Sequence, residues 1–226
     1  MASPNNPTRL SVSVRLPFDV FQRRPSVPDR VLLLLHGYTE TGRRIFRKLE
    51  PIFQNTNALV LSPNGPYPVP VRMPPEKPGE SETFREGYAW YFYDPSDDEY
   101  VRDMSVALDA LEQTMTQLAP PGLPIDIVGF SQGTYLAPFA ATRFGARRVI
   151  GVAGRFLDEE IPGVPAFELH GIHGEEDPVV SAAEARKSFD ALAKRGARGS
   201  FVSIANSAHR IDEKILVSIA SRLSHE

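Results

Sequence analysis

The chain has 226 residues, of which 42% are hydrophobic and 23% are charged, so it can bury the core of a single globular domain, expected over residues 1–226. Its net charge of -3 provides no basic excess, which argues against nucleic-acid binding. The absence of cysteine excludes disulfides, thiolate metal sites and cysteine nucleophiles.

The N-terminal sequence has no basic start followed by an apolar run, as a secretory signal would have. The longest strongly apolar run, residues 31–35, is far shorter than the roughly 20 residues that span a bilayer. We therefore expect a cytoplasmic protein without a membrane span.

The first predicted elements are strands. Apolar and polar residues alternate over residues 10–16, which is typical of a half-buried strand. The continuous apolar run at residues 31–35 predicts a strand buried on both faces. A helix should follow, and a further strand over residues 58–61. The predicted helix carries apolar residues at helical spacing, namely Ile45, Leu49, Ile52 and Phe53.

A Pro-rich stretch then interrupts the regular pattern. Its density of proline between residues 66 and 79 is incompatible with a helix or a central strand, so residues 66–87 are predicted to form a surface excursion or flap. An aromatic cluster follows at residues 88–93. Core and edge packing is the more common role of such a cluster, but it could also line an acyl or aryl pocket, with Trp90 as the candidate substrate-binding residue.

Strands and helices alternate over the rest of the chain. A capping box at residues 96–99 predicts the start of a helix, and a second box at residues 181–184 predicts another. Further strands are predicted at residues 125–130, 149–153, 166–169 and 201–204. This order favours an α/β fold in which a mostly parallel sheet carries helices on both faces. Ligands of such sheets bind beyond the carboxyl ends of the strands.

The strongest motif is the sequence GFSQG at residues 129–133, which follows a predicted buried strand and precedes a predicted helix. A serine on a sharp strand-to-helix turn is exposed for attack, and the flanking glycines let the backbone close that turn. Ser131 is therefore the candidate nucleophile.

The base and the acid should follow the serine, with the acid between serine and base. His36 precedes Ser131, and His225 lies at the chain end. Of the remaining histidines, His209 lies on a short loop after the last predicted strand and is the preferred base, with His173 as the main competitor. The acid is expected one strand earlier, in the sequence GEEDP. Asp177 is preferred over Glu175 and Glu176 because Pro178 constrains its backbone beside a predicted helix.

The oxyanion of the tetrahedral intermediate needs amide donors. In this architecture one donor follows the nucleophile and the other lies after an early strand. The backbone amides of Gln132 and Tyr38 are the candidates.

Four motifs in this order, LLLLHGYTETG, GFSQGT, HGIHGEEDPVV and NSAHRI, resemble the phospholipase/carboxylesterase family, which includes acyl-protein thioesterases. The resemblance runs from about residue 31 to residue 223. It implies an α/β-hydrolase fold without a separate cap domain, with the family's nucleophile, acid and base at Ser131, Asp177 and His209. Thr134 and the Pro-rich stretch depart from the family pattern.

These observations predict a serine hydrolase that cleaves small-molecule carboxylic esters or thioesters through an acyl-enzyme. No metal or organic cofactor is expected. Two alternatives remain: a non-catalytic ligand-binding hydrolase scaffold, and a triad enzyme that cleaves peptides or transfers acyl groups.

Overall fold

The computed structural model describes residues 19–75, 77, 81–94, 99–101 and 103–224. Its strands are, in chain order, β1 (Val20–Arg23), β2 (Arg30–Leu35), β3 (Ala58–Pro63), β4 (Tyr67–Pro68), β5 (Val71–Met73), β6 (Thr83–Arg85), β7 (Tyr88–Ala89), β8 (Phe92–Asp94), β9 (Glu99–Val101), β10 (Ile125–Phe130), β11 (Arg148–Val152), β12 (Glu168–Gly174) and β13 (Gly199–Ile204). The helices are α1 (Gly42–Phe53), α2 (Ser105–Leu118), α3 (Gln132–Phe144), α4 (Ala182–Lys194) and α5 (Glu213–Ser224).

A central seven-stranded sheet has the order β1-β3-β2-β10-β11-β12-β13. All its neighbouring strands are parallel except β1, which pairs antiparallel with β3 at the edge. Helices cover both faces of this sheet, which confirms the predicted α/β architecture. Parallel pairing brings the carboxyl ends of β2, β10, β12 and β13 to one edge, where the loops that carry the candidate residues begin.

The sheet separates two hydrophobic cores. Within β2 the side chains of Leu33 and Leu35 enter one core, whereas Leu32 and Leu34 enter the other. The first core is completed by α2, α3 and α4, and the second by α1 and α5. Because successive residues of a strand point to opposite faces, the continuous apolar run of β2 is the expected pattern for a strand covered on both sides.

The Pro-rich excursion forms short hairpin pairs outside the central sheet. Strand β4 pairs with β7, and β5 pairs with β6, in two separate two-stranded sheets. None of these short strands belongs to the central sheet in the part of the excursion that the structure describes.

The predicted helix start at residues 96–99 is wrong. Residues 99–101 form β9, whose backbone pairs with β8, and the helix begins only at Ser105. The N-cap residue is Met104, and the side chain of Asp103, one residue earlier, accepts a hydrogen bond from the Ser105 amide (3.0 Å). Residues 96–98 of the predicted capping box and the predicted strand at residues 10–16 lie outside the described residues. The box at residues 181–184 does begin a helix, since the Ser181 hydroxyl accepts from the Glu184 amide.

One further boundary differs. The strand predicted at residues 166–169 is β12, which begins at Glu168 and continues to Gly174, so His173 lies in a strand rather than on the following loop. Parallel pairing with β13 along residues 169–174 extends it. None of the helices in the described ranges has the length and apolar character needed to cross a bilayer.

Candidate active site

Strained backbone is concentrated at the edge of the sheet where the candidate residues lie. Four non-glycine residues in the described ranges have positive φ: Thr39, Ser131, Ala153 and Asn206. They follow the carboxyl ends of β2, β10, β11 and β13 respectively. Such conformations cost roughly 1–3 kcal/mol each and often occur at functional sites.

Ser131 occupies a sharp turn between β10 and α3, with φ of 49° and ψ of -116°. Its amide donates to the carbonyl of Val152 (2.9 Å), which ties the turn to β11. Gly129 and Gly133 are packed against backbone: a Cβ at Gly129 would lie 2.4 Å from the Gly133 carbonyl oxygen, and one at Gly133 would lie 2.2 Å from that of Leu35. The two glycines therefore permit a turn that no larger residue could close.

Thr134, one of the departures from the family pattern, packs beneath this turn. Its hydroxyl lies 2.9 Å from the carbonyl oxygens of Gly129 and Val152 and accepts from the Val152 amide (3.0 Å). Its methyl group fills space left by Gly151, where an added Cβ would approach it to 2.5 Å. The larger residue is thus accommodated by glycine opposite it, and it holds the turn against β11.

The structure brings Ser131, His209 and Asp177 together in hydrogen-bonding order. Nε2 of His209 lies 3.0 Å from the Ser131 hydroxyl oxygen, and Nδ1 of His209 lies 2.8 Å from the Asp177 carboxylate. An imidazole that donates from Nδ1 to a carboxylate presents an unprotonated Nε2, which can accept the serine proton. This arrangement can activate a hydroxyl for nucleophilic attack.

The carboxylate of Asp177 is fully buried and receives several hydrogen bonds. One oxygen accepts the amides of Val179 (2.8 Å) and Val180 (2.9 Å), and the other faces His209. Glu175 and Glu176, the alternative acids, are exposed to solvent. Only Asp177 of the three is therefore oriented toward the imidazole.

His173, the alternative base, is buried behind the acid instead of beside the serine. Its Nε2 donates to the Val180 carbonyl (2.9 Å) and lies 3.3 Å from the Asp177 carboxylate. Its Nδ1 is buried and has no hydrogen-bond partner among the described residues. Its contacts are to Val180 and Asp177, whereas the contact to the Ser131 hydroxyl is made by His209.

The loop that carries His209 is anchored to α5. The Ser207 hydroxyl donates to Asp212 (2.7 Å), and the other oxygen of Asp212 accepts the Ile215 amide at the start of the helix (3.1 Å). Burial alone would raise the pKa of Asp212, but hydrogen bonds from Ser207, the Ile215 amide and Arg210 hold the pKa below its ordinary value. An ionised Asp212 therefore fixes both ends of this short connection.

The loop after β2 is anchored by His36. Its Nε2 accepts the Gly65 amide (2.8 Å), and its Nδ1 donates to the Gly37 carbonyl (2.7 Å). Complete burial lowers the pKa of His36 to about 4, although the Gly37 hydrogen bond and the charge of Glu40 act in the opposite direction. The neutral ring thus holds the backbone next to Tyr38. The other candidate amide belongs to Gln132, the first residue of α3, where a helix leaves its N–H groups unsatisfied.

The candidate substrate-binding role of Trp90 is wrong. Its side chain has no exposed surface, and its indole N–H donates to the His36 carbonyl (2.9 Å). A ring enclosed in the core offers no face to a substrate, so the core-packing interpretation holds for this residue. Sequence reasoning missed that Trp90, His36 and His173 support the site, because burial and partners far apart in sequence decide their roles. Among the described residues, no cluster of three or more His, Asp or Glu side chains suits a metal ion.

The family comparison covers most of the chain. The sequence model described as Phospholipase/Carboxylesterase matches residues 21–225. The chain belongs to the phospholipase/carboxylesterase family. It is an enzyme, a hydrolase of the carboxylesterase and thioesterase type with the α/β-hydrolase fold, and no separate cap is evident among the residues that the structure describes. No curated protein matches its sequence significantly.

Solved structures of similar fold include an esterase, an acyl-protein thioesterase and a phospholipase/carboxylesterase. Esterase PE8 has a TM-score of 0.67 and 22% identity, and the match covers 93% of this chain and 98% of that one. Acyl-protein thioesterase 2 from Zea mays has a TM-score of 0.66 and 21% identity, with 91% and 97% covered. A phospholipase/carboxylesterase from Dyadobacter fermentans has a TM-score of 0.66 and 16% identity, with 95% and 100% covered. At these identities the likeness concerns the fold.

Proposed function

We propose that this hydrolase cleaves carboxylic esters or thioesters through a covalent acyl-enzyme on Ser131. The observation that carries the proposal is the pair of contacts of His209, 3.0 Å to the Ser131 hydroxyl and 2.8 Å to the Asp177 carboxylate. No other histidine in the described ranges contacts a serine at the carboxyl edge of the sheet.

In acylation, the Ser131 oxygen attacks the substrate carbonyl carbon while His209 takes the hydroxyl proton at Nε2. Asp177 keeps the other imidazole nitrogen protonated and stabilises the imidazolium. The amides of Tyr38 and Gln132 donate to the oxyanion, and loss of one such donor typically costs roughly 2.7–4 kcal/mol of barrier. As the tetrahedral intermediate collapses, His209 gives its proton to the leaving alcohol or thiol.

Deacylation repeats these steps with water as the nucleophile. His209 removes a proton from the water as its oxygen attacks the acyl carbonyl, and then returns the proton to the Ser131 oxygen as the acid product leaves. The cycle consumes one water and releases one carboxylic acid and one alcohol or thiol.

The Ser131→Ala variant tests the nucleophile. We expect it to fold normally and to lose turnover by roughly 10⁴-fold or more, because Ser131 carries the hydroxyl that lies beside His209 in the described ranges. Steady-state rates with p-nitrophenyl esters and acyl-CoA thioesters of graded chain length would measure this loss and rank the two substrate classes. Ser224→Ala is the matched control, since Ser224 is exposed and its hydroxyl donates only to the Ala220 carbonyl of its own helix. Retention of more than a few per cent of activity in Ser131→Ala would refute the assignment.

A fluorophosphonate probe separates the enzyme from a non-catalytic scaffold. The wild type and Ser224→Ala should be labelled stoichiometrically, whereas Ser131→Ala should not be labelled. Absence of labelling in the folded wild type would favour the binding alternative. Cleavage of peptides in preference to every ester and thioester of the panel would overturn the proposed substrate class.

A further inference from the structure

A short segment contacts both the loop after β2 and the first residue of α3, which carry the proposed oxyanion amides. This segment, residues 85–91, is called here the 85–91 brace. It pairs with the loop after β2: the Thr39 amide donates to the Tyr88 carbonyl (2.9 Å), and the Tyr88 amide donates to the Glu40 carbonyl (2.9 Å). Thr39 and Glu40, the two residues immediately after Tyr38, are therefore both hydrogen-bonded to the backbone of Tyr88 in the brace.

The start of the brace reinforces this attachment. The guanidinium of Arg85 donates to the Thr39 carbonyl (2.8 Å). Gly87 packs so closely that an added Cβ would lie 2.6 Å from the same carbonyl oxygen. Thr39 itself has a φ of 61°, a conformation that a threonine adopts only when its surroundings enforce it. The brace supplies those surroundings.

The other end of the brace holds Gln132. The Trp90 amide donates to the side-chain oxygen of Gln132 (2.9 Å), and the side-chain nitrogen of Gln132 donates to the Tyr91 carbonyl (3.0 Å). Gln132 is 4% exposed, so these bonds are shielded from water. The residue whose backbone amide is a proposed donor is thus attached to the brace through its side chain.

Trp90 contacts both Gln132 and the loop that carries Tyr38. Its backbone amide contacts Gln132, while its indole N–H donates to the His36 carbonyl (2.9 Å), two residues before Tyr38. Its ring also packs against the His36 imidazole, with centroids 4.7 Å apart. Trp90 therefore contacts the loop after β2 through its side chain and the first residue of α3 through its backbone amide.

We propose that the 85–91 brace sets the separation of the Tyr38 and Gln132 amides, and that Trp90 and Arg85 are positioning residues for oxyanion stabilisation. The proposal rests on the proposed function. Amide donors stabilise a developing oxyanion only when they are preorganised within a few tenths of an ångström. The Pro-rich excursion acquires a role from this geometry, because it brings the chain back across the loop after β2 to begin the brace.

The test compares Trp90→Phe, which keeps an aromatic ring but removes the indole donor, with Arg85→Met, which removes the contact to the Thr39 carbonyl. We expect kcat to fall roughly 10- to 100-fold in Trp90→Phe and about 10-fold in Arg85→Met, with KM changed less than about twofold. Binding of a trifluoromethyl ketone, whose hemiketal oxyanion occupies the same donors, should weaken in parallel with kcat/KM. Active-site titration with a fluorophosphonate corrects each rate for the fraction of competent protein.

Arg195→Met is the matched control. The Arg195 guanidinium also donates to backbone carbonyls, those of Asp158 and Ile161, but it lies after the end of α4, at the opposite edge of the sheet. This variant should lose stability without loss of kcat per titrated site. If Trp90→Phe does not fold, the half-buried Arg85 decides the question.

Two results would overturn the proposal. One is wild-type kcat and wild-type affinity for the ketone in the folded variants. The other is a raised KM with unchanged kcat, which would mean that the segment binds substrate instead of positioning donors. Failure of the proposed function is separately visible, since it would appear as turnover in Ser131→Ala.

Discussion

At the scale of single residues, His36 shows how burial can couple a side chain to pH without a role in proton transfer. Both ring nitrogens are used as the neutral form requires, one accepting the Gly65 amide and one donating to Gly37. Protonation would replace an acceptor with a donor facing an amide, inside a site with no exposed surface. The folded state therefore favours the neutral ring.

This preference predicts a pH-dependent loss of stability. Because the pKa of His36 falls from 6.5 to about 4 on folding, its contribution is fully present above pH 6.5 and is lost as pH falls toward 4. The full contribution of His36 to the free energy of unfolding is about 3 kcal/mol, since each pKa unit corresponds to about 1.4 kcal/mol. In His36→Gln, whose amide can still accept from Gly65, urea unfolding should give lower stability than wild type at pH 7.5. The difference between the two proteins should narrow by most of that amount at pH 4.5. Parallel pH dependences in the two proteins would contradict the prediction.

At the scale of elements, the junction of β10 with α3 depends on close backbone approach. Gly133, the second residue of α3, packs directly over the end of β2, and its missing Cβ lets the Leu35 carbonyl lie where a side chain would otherwise be. This close approach places Ser131 and Gln132, at the start of the helix, beside the loop after β2. The packing of two elements thus determines the position of a single hydroxyl.

Gly133→Ala should therefore disturb the junction as a whole. A Cβ 2.2 Å from a backbone oxygen forces one element to move, and we expect a loss of roughly 3 kcal/mol or more together with most of the activity. The control is Gly145→Ala at the end of α3. Gly145 has a φ of 64° but nothing within 4 Å of its added Cβ, so only the left-handed backbone cost of about 1–2 kcal/mol applies. Urea titrations and esterase rates measure both; equal losses in the two variants would contradict the packing argument.

At the scale of the molecule, we infer that the chain folds as one domain around the central sheet. Leu33 lies in the core that α2, α3 and α4 complete, together with Trp90, whereas its neighbours in β2 lie in the core on the other face. Strands β2, β3, β10, β11 and β12 contribute buried residues to both cores. Neither can be lost while the other stays intact.

Leu33→Ala tests this inference. Removing its fully buried side chain should cost roughly 2–5 kcal/mol. Far-UV circular dichroism reports all five described helices, and fluorescence reports Trp90, which is the single tryptophan of the chain. The two signals should shift to the same lower urea midpoint. Val217→Ala, at a residue 65% exposed on α5, should change stability by no more than about 0.5 kcal/mol. Two separate transitions in the wild type would contradict a single domain.

Much of the fold was predictable because local patterns and tertiary structure agree there. The apolar run of β2, the helical spacing in α1 and the Ser181 cap of α4 each appear in the structure. The prediction failed at Glu99, the end of the predicted capping box, because residues 99–101 pair with β8 and the helix begins only at Ser105. A cap contributes about 1 kcal/mol, and tertiary pairing can exceed that preference.

The sequence by itself determined the elements and the order in which Ser131, Asp177 and His209 follow strands, because periodicity, caps and turn residues are local properties. In a parallel sheet those strand ends must meet at one edge, so proximity of the three residues was foreseeable. Only the tertiary structure decided that Trp90 is enclosed, that His173 lies behind the acid and that the 85–91 brace joins the loop after β2 to the start of α3. These facts depend on hydrogen bonds such as that between Trp90 and Gln132, whose partners are 42 positions apart, and on which faces are covered. No local pattern encodes such contacts.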